Sequence, residues 1–162
     1  MARRSIALVV CVLALAAVPA AQRPADIVKW SAEAPAGSVR PGGTAKIGLT
    51  AKIEEGWKLY SLTQPKGGPI PLAIGVAKGA PFTLTAKNIT SPVPKLQKDE
   101  VFSSETQYYE HEAAFVLPVT VPKTVEAGSH VVPIDITFQA CGQSICLRPY
   151  TQRIEVTVSV TK

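Results

Sequence analysis

What most constrains this chain is a period of two. "AKIGLTAKI" sets Ile47, Leu49, Ala51 and Ile53 on one side and Lys46, Gly48, Thr50 and Lys52 on the other. Successive side chains leave a pleated backbone on opposite faces, so this alternation predicts a strand with one face buried. "PFTLTAKNI" repeats it, with Phe82, Leu84 and Ala86 against Thr83, Thr85 and Lys87; "FVLPVTVP", "VVPIDITFQA" and "RIEVTVSV" carry it onward. No helical periodicity of comparable length competes. The chain has 14 prolines, and Pro118 and Pro133 fall inside the alternating runs. A proline removes a ladder donor, so these positions suggest sheet edges or bulges rather than central parallel strands. Seven or eight short strands with turn signals between them predict an all-β chain, a single-domain antiparallel β-sandwich of immunoglobulin-like type.

Two stretches do not read as strands. "SLTQPKGGPIPL" (61–72) is a Gly/Pro-rich loop whose Gly67-Gly68 pair can take positive φ angles. It is no phosphate cradle, because no P-loop lysine pattern or helix follows it. "PKLQKDEVFSSETQYY" (94–109) reads as a long polar connection with isolated apolar residues, and long connections in compact domains often carry function. Tyr108 and Tyr109 at its end are adjacent, so one is expected to face in and the other out.

The first residues, "MARRSIALVVCVLALAAVPAAQ", have a charged start at Arg3 and Arg4, an apolar stretch from Ile6 to Ala17, and a small-residue cleavage pattern at Val18-Pro19-Ala20. The apolar stretch is shorter than the ~20 residues that span a bilayer. Residues 1–20 are therefore expected to be a cleaved signal peptide, leaving residues 21–162 as one exported domain, periplasmic or secreted. Loss of two arginines and no acid lowers the net charge of +5 by two. That mild excess, with no basic run interleaved with aromatics, excludes nucleic acid as the natural partner.

Cys11 leaves with the signal, so Cys141 and Cys146 in "TFQACGQSICLRPYT" remain. Four residues separate them, and positions so spaced can face each other across an antiparallel hairpin. Their Cα atoms would then lie ~4.5 or ~5.5 Å apart, close enough for a disulfide. As a staple the bond would contribute little: even a 15-residue loop is worth only about 3 kcal/mol in the entropic account, and this loop is shorter. A redox pair and a local structural bridge both remain open. Zinc or copper is a third reading, with His111 and His130 needed to complete the ligands. The apolar set of the preceding strand is Ile134, Ile136, Phe138 and Ala140, so Cys141 points the other way. Cys146 shares the parity of Ile154, Val156, Val158 and Val160, although paired cysteines must share a face. An irregular stretch must reset the alternation after Cys146, and Pro149 is the natural place.

"ITFQACGQSICLRPYT" resembles the cysteine motif of the N-terminal periplasmic domain of the thiol:disulfide interchange protein DsbD. "EEGWKLYSLTQPKGGPIPL" resembles that family's Gly-aromatic-x-Leu-Tyr segment, and "KDEVFSSETQYYEHEAAFVLPVTV" its Asp-Glu-aromatic loop leading into a strand. The three stand in the family's order. The resemblance implies an immunoglobulin-like sandwich and a protein-disulfide reductase activity that needs no cofactor. Cys141 and Cys146 would be the redox pair, with Cys146 forming mixed disulfides. Asp99, Glu100 and Phe102 would belong to a loop that caps the disulfide, and Trp57 and Tyr60 would be aromatics near it. Arg148, two residues beyond Cys146, has two readings, a cation that favours a thiolate or a simply solvated residue. The chain departs from the pattern in having Arg148 before Pro149 where two prolines are frequent, and Val101 where the cap aromatic is expected. The implied partners are a membrane electron donor of the DsbD transmembrane type on a separate chain and periplasmic thioredoxin-like oxidoreductases. The competing class is a non-catalytic adhesion or assembly domain with a structural hairpin disulfide.

Overall fold

The computed structural model describes residues 22–100 and 102–162. The expected signal peptide at 1–20 and the variant cap position Val101 lie outside them. A single helical turn, α1 (Pro24–Ile27), leads into eleven strands among the described residues: β1 (Val28–Glu33), β2 (Thr44–Ile53), β3 (Lys58–Tyr60), β4 (Ala73–Val76), β5 (Thr83–Leu84), β6 (Lys95–Asp99), β7 (Ser104–Tyr109), β8 (Glu112–Thr120), β9 (Gly128–Phe138), β10 (Ala140–Cys141) and β11 (Tyr150–Val160). They form three sheets ordered β1-β2-β8-β5, β11-β9-β4 and β10-β3-β7-β6. Every ladder is antiparallel. The fold is the immunoglobulin-like antiparallel sandwich that the alternation predicts.

The first two sheets enclose the core. On β2 the buried residues are Ala45, Ile47, Leu49, Ala51 and Ile53, the face read from the sequence. They meet Val132, Ile134, Ile136 and Phe138 of β9 and Val156, Val158 and Val160 of β11 in one continuous apolar cluster. Trp30 of β1 bridges the layers, with ring centroids 6.1 Å from Phe115 and 5.7 Å from Phe138. Past β1 the chain crosses over: Val39 donates to Ser159 and accepts from Thr161, so it joins β11 in a parallel bridge. One N-terminal segment thus touches both sheets and closes the sandwich along that side.

Both prolines stand on interior strands, contrary to the edge or bulge expectation, and each lies where the neighbouring strand stops. Val116 exchanges hydrogen bonds with Thr90 on the side of β8 away from β2, so Pro118, two residues on, faces that side without an N–H. The β5 ladder ends at the pair Leu84–Val119, and the chain turns out through a 3-10 turn at Ala86–Asn88 before Thr90 pairs again. The alternation expected through Ala86 and Lys87 is therefore cut short at Leu84. Pro133 is arranged in the same way: its carbonyl accepts from Ala77, one residue past the end of β4.

The 94–109 stretch is also corrected. It is a hairpin, β6 and β7, rather than a connection. Lys95 to Lys98 are all exposed, because β6 is the edge of its sheet, and a strand exposed on both faces carries no alternation to read. The extra strands over the seven or eight expected are two- and three-residue pieces, too short to display a period.

Phe138 is fully buried and packs edge-on against Trp30 and, at 6.1 Å, Tyr150. Phe138→Ala should cost about 3–5 kcal/mol of stability in urea denaturation. Val131→Ala, on the exposed side of the same strand, should change it by less than about 0.5 kcal/mol. Equal losses would contradict this assignment of the core face.

Candidate functional site

Away from its edge strand β6, the third sheet is buried on both faces where β10, β3 and β7 pair, which is why neighbouring residues there are buried together. Leu59, Tyr109 and Ala140 belong to the main core, while Tyr60, Tyr108 and Cys141 form a separate cluster on the opposite face. Register accounts for the division: Ala140 lies opposite Leu59 and Leu59 opposite Tyr109, whereas Cys141 lies opposite Lys58 and Tyr60 opposite Tyr108. Opposed residues share a face, so Lys58, Tyr60, Tyr108 and Cys141 lie on the same side. Both members of the Tyr108-Tyr109 pair are buried, the outer one in the cysteine cluster. The sequence left that outer tyrosine to solvent.

Cys141 and Cys146 close a tight hairpin. Gly142 donates to Ile145 (2.8 Å) and Leu147 to Ala140 (2.9 Å), one pair on either side of the cysteines. The cysteines therefore hold the non-hydrogen-bonded position, where opposed Cα atoms approach most closely. Their Cα atoms are 4.0 Å apart and their sulfurs are bonded. The two are unequally accessible: Cys141 is 1% exposed, and Cys146 is only half-buried. Residues 147–149 are irregular before β11 begins at Tyr150, in agreement with the reset of alternation placed at Pro149.

The β6–β7 turn folds over this cluster. Tyr60 donates its hydroxyl to Asp99 Oδ2 (3.0 Å), and the Phe102 amide donates to Asp99 Oδ1 (3.4 Å). The Phe102 ring stands edge-on to Tyr60, with centroids 5.9 Å apart. Phe102 and Cys146 both pack against the cluster. Ser103 closes the turn at φ 52°, a left-handed conformation that is uncommon for a residue with a side chain. Burial first, then the bond to Asp99 and its charge, push the Tyr60 phenol well above the usual tyrosine value.

Of the residues singled out from the sequence, Cys141, Cys146, Tyr60, Asp99 and Phe102 come together. Glu100 is exposed on the rim of a cleft of about 310 Å³ that is also lined by Lys58, Gln97, Lys98, Asp99, Gly142 and Gln143. Trp57 packs against the main core rather than in the cluster, and a Cβ on Gly142 would lie 3.9 Å from its ring. Arg148 is exposed on the irregular stretch. His130 sits beside Phe82, its Nε2 2.7 Å from the Glu126 carbonyl, and His111 occupies the β7–β8 turn. Among the described residues no three His, Cys, Asp or Glu side chains converge as metal ligands would.

Sequence reasoning missed Lys58 and Gln97. Lys58 Nζ lies 4.6 Å from the Tyr108 ring centroid and donates to Gln97 Oε1 (3.2 Å), which also accepts from the Tyr108 hydroxyl (2.8 Å). The available signal was parity, since Lys58 is two residues before Tyr60 on one strand.

A family model described as "Thiol:disulfide interchange protein DsbD, N-terminal" matches residues 27–158. Among solved structures, the reduced N-terminal domain of DsbD from Neisseria meningitidis superposes with a TM-score of 0.54 at 16% identity, over 86% of this chain and 91% of that one. The N-terminal periplasmic domain of ScsB from Proteus mirabilis gives a TM-score of 0.53 at 20% identity, over 85% of this chain and 49% of that one. At these identities the likeness is one of fold, and the chain spans about half the length of the ScsB structure. No curated protein matches the chain in sequence. On the strength of the family match, the chain belongs to the N-terminal family of the thiol:disulfide interchange protein DsbD.

Proposed function

We propose that this protein works in the periplasm as a thiol:disulfide interchange module, in which Cys141 and Cys146 cycle between disulfide and dithiol. It passes reducing equivalents between a membrane electron donor of the DsbD transmembrane type and periplasmic thioredoxin-like oxidoreductases. The observation that carries this reading is the unequal burial of the two cysteines beside the Phe102 turn: Cys141 is buried and Cys146, on the return arm of the hairpin, is half-buried.

An incoming thiolate needs a line of approach to one sulfur and a leaving group on the other. Cys146 is the sulfur an attacking protein can reach, so Cys146 forms the mixed disulfide and Cys141 leaves as the thiolate. A second thiol of the partner then attacks its own sulfur in the mixed disulfide and releases Cys146. The partner leaves as a disulfide, this protein holds two thiols, and two electrons have moved without a cofactor. Phe102 covers the pair between encounters, and Asp99 fastens its turn through Tyr60 and the Phe102 amide.

Three outcomes are expected. A thioredoxin with a single active-site cysteine, activated as its thionitrobenzoate disulfide, should form a lasting mixed disulfide with Cys141→Ala at least about tenfold faster than with Cys146→Ala. Equal rates, or no adduct with either, would remove the assignment of Cys146. Phe102→Ala should let glutathione reduce the disulfide about tenfold faster, because access limits exchange; an unchanged rate would mean that the ring does not shield the pair. Tyr60 has a raised folded-state pKa, so its contribution to stability is complete below about pH 10, its unfolded value, and is lost as the pH rises through the folded value. Urea midpoints should accordingly fall less steeply above pH 10 in Tyr60→Phe than in the parent, and parallel declines would contradict the buried phenol.

A further inference from the structure

We infer that Lys58 promotes the exchange by stabilising the Cys141 thiolate, the group that leaves when a partner attacks Cys146; this inference deepens the reading above and rests on it.

The need for such a group follows from where Cys141 lies. Its sulfur is bonded to Cys146 on the face of the third sheet that carries Tyr60 and Tyr108, with Phe102 packed over them. When the bond breaks, the electron pair of the Sγ–Sγ bond stays on Cys141 as a negative charge in a residue that is 1% exposed. A buried anion among aromatic rings is costly unless a positive charge or a donor meets it. Asp99 adds a second negative charge on the same face, and the Tyr60 hydroxyl is already given to it, as that of Tyr108 is to Gln97. Both features slow departure of the thiolate.

Lys58 offsets them by its register. It is the residue directly opposite Cys141, on the strand that β10 pairs with. Its ammonium does not swing free: Nζ rests 4.6 Å from the centroid of Tyr108, a member of the Cys141 cluster, and donates to Gln97. The Tyr108 hydroxyl donates to that same Gln97 oxygen, so one amide fixes both the ring and the cation above it. The lysine is half-buried, where a charge acts over its neighbours with less screening than on the open surface.

The other charges on this side do not do the same work. Lys95 lies opposite Tyr108, but its Nζ is 2.7 Å from Glu110 and paired there. Lys98 lines the same cleft as Lys58 but alternates with Gln97 and Asp99 on β6, which places it on the opposite face, and Arg148 is exposed beyond Cys146. Lys58 is the lysine that pairing holds across from the leaving sulfur.

The step balances as written. A partner thiolate bonds to Cys146 Sγ, the Cys146–Cys141 bond breaks, and its electron pair passes to Cys141. The second partner thiol later displaces Cys146, and both cysteines take protons from water. A lower leaving-group pKa speeds the first step.

The test uses two readouts on the full chain. In a Cys146→Ala background, the pKa of Cys141 is followed by its 13Cβ chemical shift. Lys58→Met should raise that pKa by roughly one unit, as removal of a nearby cation does, and Lys58→Arg should leave it near the parent value. With both cysteines present, Lys58→Met should slow reduction by dithiothreitol at pH 7 about threefold to tenfold, with Lys58→Arg restoring most of the rate. An unchanged Cys141 pKa in Lys58→Met, beside a parent disulfide that dithiothreitol reduces readily, would overturn this role and leave the exchange reading standing. A parent disulfide that dithiothreitol fails to reduce in the folded protein would overturn both.

Discussion

The architecture turns on Gln139, the single residue between β9 and β10. There the chain leaves the core-facing sheet and enters the small third sheet, so the side-chain parity that buries Phe138 and Ala140 in the core aims Cys141 at the opposite face. The Gln139 side chain fastens this corner. Its Nε2 donates to the Leu147 carbonyl (3.1 Å) on the return arm of the cysteine hairpin, and its Oε1 accepts from the Ile70 amide (3.4 Å) in the 61–72 loop. A half-buried amide that satisfies backbone on two sides helps set where the hairpin projects. The position of the disulfide, with Cys141 buried and Cys146 half-buried, follows from this corner.

The 61–72 loop reaches the site by the same economy of hydrogen bonds. Leu72 donates back to Ser61, closing the loop at its base, and Gln64 uses its side-chain amide to pair with the backbone of Gln107 on β7. Ser61 donates to the same Gln107 carbonyl. These bonds hold the start of the loop against β7 just past the short β3–β7 pairing, in the sheet that carries Tyr60 and Tyr108. Gly67, at φ 79°, supplies the one turn in the loop that a side chain would resist. Within the sheet, the charges are arranged around opposing demands. Asp99 holds the cap by accepting from Tyr60 and from the Phe102 amide, yet it adds negative charge to the face of the sheet that carries a sulfur that must leave as an anion. Lys58 on the neighbouring strand balances that charge, and Gln97 keeps the lysine in place.

How much of this could be read in advance depended on burial pattern. The faces of β2 and β9 were legible because each has one buried side and a long run, so Ile47, Leu49, Ile134 and Ile136 announce themselves. The outward aim of Cys141 was legible for the same reason, as the odd member of an even-numbered set. The β6–β7 hairpin was not, because Lys95 to Lys98 are exposed on both faces and spell a polar loop. The second burial of Tyr108 was hidden, since a sheet covered on both sides breaks the inside–outside rule on which the reading relied. Lys58 looked like any solvated lysine. Only its register with Cys141 and the ring beneath it separate it from the others. Trp57 was legible as near the site, but the structure gives it to the core.

The account stands on one property: the Cys141–Cys146 bond is made to be exchanged. Its most direct test is to equilibrate the folded protein in buffers of graded reduced and oxidised glutathione at pH 7, quench with an alkylating reagent, and count free thiols by mass. Exchange requires the pair to pass from disulfide to dithiol within that range, at a potential more oxidising than about −300 mV. A pair that stays fully oxidised across the whole series would make it a structural bridge and contradict the account.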